Sequence, residues 1–106
     1  MPYRGRLIYP GHPGEYIAVT RLTADDTQLD YTAETTWWGA PGYALGSPAT
    51  AGAKGDYKTP TLTFGDGTPY TLRFSIDHLD SNQITLSGTL SCENSEYPFS
   101  GTLYAA

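Results

Sequence analysis

Apolar and polar residues alternate most regularly near the end of the chain. Ile84, Leu86, Gly88 and Leu90 alternate with Thr85, Ser87, Thr89 and Ser91, and the pattern returns after a polar turn at Tyr97, Phe99, Gly101 and Leu103. Because successive side chains of a strand point to opposite faces of a sheet, a period of two predicts half-buried antiparallel strands. One face of these strands is apolar and the other is rich in hydroxyls, which we interpret as an ordinary solvated face.

The residues before this pair predict another hairpin. Leu62 and Phe64 lead into the turn 65–67, Gly-Asp-Gly, and alternating apolar residues follow it. Glycines adopt the positive φ angles that tight turns require, so this segment predicts a hairpin. A position in the hairpin turn is enough to explain Asp66. From both hairpins we expect a buried core. Its predicted members are Leu62, Phe64, Leu72, Phe74, Ile84, Leu86, Leu90, Phe99 and Leu103.

Three further segments complete the predicted fold. Residues 4–9 and 16–22 flank the turn 10–14, Pro-Gly-His-Pro-Gly, and residues 28–38 alternate up to a pair of tryptophans. These segments predict an all-β, single-domain antiparallel meander of about seven strands over residues 1–106. We expect a small up-and-down β-barrel, with a two-sheet β-sandwich as the alternative. Gly88 and Gly101 favour the barrel, because they fall at inward positions where a missing side chain permits sharp coiling.

Residues 39–58 are rich in Gly, Ala and Pro and show no period. A stretch of this length without structure is uncommon in a compact domain and is usually functional or disordered. We therefore predict a long loop within the domain, and we expect it to contribute to a binding site.

Composition and charge exclude several classes of function. The net charge is -5 with a pI near 4.6, and the six basic residues are scattered, which argues against a nucleic-acid partner. No apolar run approaches the roughly 20 residues that span a bilayer, and the first residues lack the apolar region of a signal peptide. The single cysteine, Cys92, continues the apolar phase of its strand and predicts a buried thiol. These features favour a reducing, cytoplasmic location.

Catalytic and metal-binding patterns are weak in this chain. Asp77, His78 and Asp80 are close in sequence, but they fall in a predicted turn where such residues are normally solvated. His12 and His78 would form a metal site only if the fold brought them together, and neither has a histidine or cysteine nearby in sequence. We therefore predict no catalytic residue, no metal and no cofactor, although whether the protein is an enzyme stays open.

Aromatic residues carry the main functional signal. Rigid amphipathic rings are enriched in binding sites because they bury a large area with few rotamers to fix. The predicted ligand-binding residues are Trp37, Trp38, Tyr31, Tyr43 and Tyr57, which lie on the strand before the predicted loop or within the loop itself. Trp37 continues the apolar phase of its strand and is expected to be the more buried, which leaves Trp38 toward the loop. The chain is thus predicted to be a non-catalytic domain that binds a small molecule or carbohydrate.

Two alternatives remain. The aromatic residues would also suit a homo-oligomeric or protein–protein interaction module. A small β-barrel enzyme acting on an apolar substrate without a metal is the other alternative, because positioning alone lowers a reaction barrier by several kcal/mol.

Overall fold

The computed structural model describes residues 2–36, 42–52 and 55–106. These residues form ten antiparallel strands and no helix. The first five strands are β1 (Tyr3–Ile8), β2 (Tyr16–Ala24), β3 (Gln28–Thr35), β4 (Tyr43–Leu45) and β5 (Ala49–Ala51). The second five are β6 (Asp56–Lys58), β7 (Leu62–Thr63), β8 (Pro69–Leu79), β9 (Gln83–Cys92) and β10 (Ser95–Ala105).

The strands close into an up-and-down barrel. Neighbours in sequence pair around the wall in the order β1, β2, β3, β5, β6, β8, β9 and β10, and β10 pairs with β1 to complete the circle. Two short strands are added to this wall of eight. β4 pairs with β3 beyond the end of β5, and β7 pairs with β8 beyond the end of β6. The predicted all-β barrel is therefore confirmed, whereas the sandwich alternative does not describe the closed sheet.

The structure differs from the sequence prediction within residues 39–58. Three strands, β4, β5 and β6, lie where a single long loop was expected, and they raise the strand number above the predicted seven. Each of these strands has three residues, and residues 46–48, Gly-Ser-Pro, separate the first two. Strands of this length are too short to show a period of two, so the pattern of the sequence does not reveal them.

Apolar side chains fill the barrel interior. Eight of the nine predicted core residues are buried, including Phe74 with 4% of its surface exposed. Cys92 is also buried, at 5%, as predicted. Leu62 is the exception and is only half-buried, because it lies on the added strand β7. Its side chain packs on Gly46, where an added Cβ would lie 2.9 Å from Leu62 Cδ1.

Gly88 lets two aromatic rings meet across the interior. It pairs with Phe74 on β8 and Phe99 on β10, and these rings form an edge-to-face contact with centroids 5.5 Å apart. A Cβ at Gly88 would lie 2.1 Å from the Arg73 carbonyl oxygen and 2.7 Å from Phe99 Cζ. An added Cβ at Gly101 would likewise lie 2.5 Å from the Arg6 carbonyl oxygen. Both inward glycines thus permit the close approach that a narrow barrel requires, as predicted.

The two ends of the barrel differ in composition. We call the end where β1, β3 and β9 finish the aromatic end, because inward rings from several strands gather there. These rings belong to Tyr9, Tyr43, Phe64, Tyr70, Tyr97 and, one layer deeper, Phe99. The opposite end carries the turns after β2 and β8 together with Pro2 and Ala106.

Candidate ligand-binding site at the aromatic end

Aromatic contacts link the strands at the aromatic end. Phe64 and Tyr70 stack with centroids 4.1 Å apart and an interplanar angle of 17°, and Tyr43 lies 5.3 Å from Phe64. On the other side of the barrel, Tyr9 meets Phe99 edge to face at 6.1 Å. These contacts fill the interior of the barrel at the aromatic end. A ligand bound at this end would therefore contact rigid aromatic rings.

Next to these rings, hydroxyl groups and one carboxylate form a hydrogen-bond network at the rim of the barrel. The Tyr9 hydroxyl and Thr35 Oγ1 share a hydrogen bond of 2.9 Å, and both residues are buried. The neighbouring Thr36 hydroxyl donates to Glu15 Oε2 at 2.7 Å and accepts from the Tyr16 amide at 3.0 Å. This network ties the end of β3 to the start of β2. It therefore fixes the Glu15 carboxylate at the rim of the barrel.

Gly46 lies in the break between β4 and β5, and its hydrogen bonds connect β3 to β8. The Tyr31 hydroxyl donates to the Gly46 carbonyl, and the Gly46 amide donates to the Tyr70 hydroxyl at 2.8 Å. Next to it, Ser47 Oγ accepts from the Tyr31 amide at 3.1 Å and donates to Asp30 at 2.8 Å. In the break between β4 and β5, side-chain hydrogen bonds thus replace the backbone hydrogen bonds of a continuous strand.

Burial keeps the interior tyrosines neutral. It raises the pKa of Tyr9 to about 12, against an opposing effect of the Thr35 hydrogen bond. Burial also raises the pKa of Tyr31, assisted by Tyr70 and Asp30, and raises the pKa of Tyr70 despite the Gly46 amide. At neutral pH these hydroxyls are therefore hydrogen-bonding groups and not bases.

A groove opens on the outside of the aromatic end. Its volume is about 460 Å³, within the range of small-ligand sites. The lining residues are Arg6, Ile8, Tyr9, Pro10, Pro13, Gly14, Glu15 and Tyr16. Ile8 is 55% exposed, and the Arg6 guanidinium covers the Tyr16 ring at 4.1 Å from its centroid. We call this feature the turn groove, because the turn between β1 and β2 forms one of its walls.

The structure separates the residues that the sequence grouped as one site. Tyr43 lies at the aromatic end and Tyr31 lies deeper, with its ring 5.3 Å from Phe74. Tyr57 lies at the opposite end, where its hydroxyl donates to the Asp25 carbonyl at 3.0 Å. Trp37 and Trp38, with the predictions made for them, lie outside the described residues.

The turn groove was missed by the sequence analysis. Its signal was the Pro-Gly-His-Pro-Gly turn between Tyr9 and Tyr16, which we read only as a connection. Two prolines and two flanking tyrosines within eight residues concentrate rigid apolar surface. Such a turn folds back on its own strands and leaves a concavity that a two-residue turn would not.

The other chemical candidates are not assembled into a site. His78 Nε2 lies 2.9 Å from Asp80 Oδ2, and both side chains are about half exposed. His12 lies in the turn at the aromatic end, whereas His78 lies near the opposite end, so the two do not combine as metal ligands. Among residues 2–36, 42–52 and 55–106, no three His, Cys, Asp or Glu side chains are arranged to hold a metal ion. Burial raises the pKa of the Cys92 thiol, which disfavours the reactive thiolate.

Comparison with protein-family models, curated proteins and solved structures gave no match. In the part of the chain that the structure describes, no helix is long and apolar enough to cross a membrane.

Proposed function

We propose that this barrel is a non-catalytic binding domain that takes a small neutral molecule, a carbohydrate or an apolar compound, in the turn groove. The observation that carries the proposal is the groove itself, which combines exposed apolar surface with a few fixed polar groups. Ile8, Pro10 and Pro13 supply the apolar surface, while Arg6 and Glu15 supply charged hydrogen-bonding groups. Ligand sites in proteins commonly have this composition.

The groove is held by a rigid base. The hydrogen bonds of Thr36 fix Glu15 and Tyr16, and the Tyr9 ring below them packs against Phe99. A site that is already formed loses little conformational entropy when a ligand binds, so it retains more of the contact energy. A flat apolar wall beside a carboxylate suits a sugar ring, which presents C–H groups on its faces and hydroxyls at its edges.

The tyrosines favour binding over catalysis. A general base functions best with a pKa near the working pH, and burial moves Tyr9 and Tyr31 away from that range. The exposed His78–Asp80 pair is distant from the turn groove, near the opposite end of the barrel. These features support a ligand that is bound without being transformed.

The proposal is tested by calorimetric screening with neutral mono- and disaccharides and with apolar small molecules. Ile8→Ala should weaken binding of any ligand found by about ten-fold, since removing the buried contact of such a side chain costs about 1–3 kcal/mol. Leu79→Ala is the matched control, because Leu79 is also an exposed aliphatic residue, at 51%, but lies near the opposite end. Equal affinity of both variants and the parent would remove the turn groove from the site.

A second candidate function is a homo-oligomeric or protein–protein interaction module. It is favoured by Ile8 and Tyr104, two large hydrophobic residues that are 55% and 58% exposed on the neighbouring strands β1 and β10. Analytical ultracentrifugation over a wide concentration range would detect self-association. A mass that rises with concentration and falls back in Ile8→Ala would support this candidate over the first.

A further inference from the structure

A second groove crosses the outer wall of the barrel over β1, β2 and β10. Its volume is about 500 Å³. The lining residues are Arg4, Gly5, Arg6, Ala18, Val19, Thr20, Tyr104 and Ala105. The pairing of β2 with both neighbours shifts register next to Val19, and such a bulge bends a strand and re-aims its side chains. We call this feature the wall groove.

Two arginines of β1 line the wall groove, and one of them, Arg6, also lines the turn groove. Arg4 and Arg6 are two residues apart on β1, so they share its outer face at a spacing of roughly 7 Å. Both are exposed. The Arg6 guanidinium is oriented by its contact with the Tyr16 ring, while Arg4 pairs in register with Tyr104, whose side chain is 58% exposed.

The lining of the wall groove carries positive charge only. The residues that line the wall groove include no carboxylate. Within the part of the chain that the structure describes, the arginine ion pair joins Arg21 to Asp30, and neither Arg4 nor Arg6 forms one. In a protein with a net charge of -5, two arginines on one strand that form no ion pair are a local exception.

We propose that the wall groove binds a small organic anion that carries a carboxylate on a flat ring. Guanidinium groups bind carboxylates through paired, charge-assisted hydrogen bonds, and they also stack on planar rings. Tyr104 supplies an exposed aromatic face beside Arg4 on which such a ring can stack. The short side chain of Ala18, opposite Arg6 on the outer face, leaves space for the ring beside the arginines.

The test is an NMR titration of the labelled full chain with benzene-1,3-dicarboxylate, followed through amide chemical shifts. The neutral diamide of the same ring is the ligand control. We expect saturable shifts in β1, β2 and β10 with the dianion and none with the diamide. Arg4→Gln should weaken binding by about ten-fold, as expected for loss of a charged hydrogen-bonding partner.

Arg73→Gln is the matched protein control, because it removes the same charge from an exposed position on β8, away from the wall groove. It should leave the affinity unchanged. Equal weakening by Arg4→Gln and Arg73→Gln would show only general attraction of an anion and would overturn the proposal. So would equal binding of the diamide, or no binding of the dianion up to about 20 mM.

Ile8→Ala separates this proposal from the proposed function. Ile8 lines the turn groove and not the wall groove, so its truncation should leave the affinity for the dianion unchanged. A dianion that instead shifts the amides of the turn groove, and binds more weakly to Ile8→Ala, would overturn the wall groove as its site. That result would leave the turn groove as a ligand site.

Discussion

At the scale of single residues, buried tyrosine hydroxyls connect the interior of this barrel. Tyr9 is 2% exposed, and its hydroxyl shares a hydrogen bond with Thr35. The Tyr31 hydroxyl donates to the Gly46 carbonyl, and the Tyr70 hydroxyl accepts from the Gly46 amide. Each hydroxyl is buried together with a partner, which avoids the cost of an unpaired polar group. Because a tyrosinate in these positions would lose its hydration, the folded state favours the protonated form.

Alkaline pH should therefore destabilise the folded protein, in part through Tyr9. Its pKa is raised from 10.0 to about 12 by folding, so the stabilisation is complete below pH 10 and is lost as the pH rises toward 12. Tyr9→Phe should make the fall in unfolding free energy with pH shallower by about 1.4 kcal/mol per pH unit in that range. Urea unfolding at a series of pH values measures the slope. Parallel curves for variant and parent would contradict the shifted pKa.

Gly88→Ala should be strongly destabilising. The new methyl group would lie 2.1 Å from a backbone oxygen, and backbone atoms in a closed sheet cannot move aside as a flexible side chain can. We expect a loss of at least about 3 kcal/mol, at the upper end of the range for overpacked cores. Gly11→Ala is the control, because a Cβ there meets no atom within 4 Å and should change stability by less than about 0.5 kcal/mol. Similar thermal unfolding of both variants would refute this account of the barrel wall.

At the scale of elements, the long strands follow from the sequence and the short ones do not. β9 and β10 carry ten and eleven residues of alternating pattern, enough to fix their inward face. β4, β5 and β6 have three residues each, and neighbouring strands and tyrosine hydroxyls hold them in place. Such tertiary contacts have no local signature, so residues 39–58 resembled a loop.

The turn between β9 and β10 offers a test at this scale. Glu93 and Asn94 have φ angles of 51° and 63°, in the left-handed region of a two-residue hairpin turn. Asparagine tolerates this conformation better than glutamate, whose longer side chain makes no local bond to the turn backbone. Glu93→Asn should therefore stabilise the protein by about 0.5–1 kcal/mol. Urea unfolding would contradict the turn geometry if this variant were less stable than its parent.

At the scale of the whole molecule, the barrel is polarised between the aromatic end and the end that carries Pro2 and Ala106. The sequence indicated a barrel and the importance of its aromatic residues, yet it grouped Tyr57 with Tyr43 although they lie at opposite ends. Their separation depends on how the chain turns between β4 and β6, which residue pattern alone does not encode. The turn groove likewise depends on how residues 10–14 fold back over β1 and β2.

The proposed function requires a small neutral ligand to bind in the turn groove at the aromatic end. Its most direct test is amide chemical-shift mapping on the labelled parent protein, with the first carbohydrate or apolar compound that calorimetry identifies. We expect the largest shifts at the residues that line this groove, which include Ile8, Tyr9, Glu15 and Tyr16. Shifts concentrated instead on the hydroxyl-rich outer face of β8, β9 and β10, or around Tyr57 at the opposite end, would contradict it.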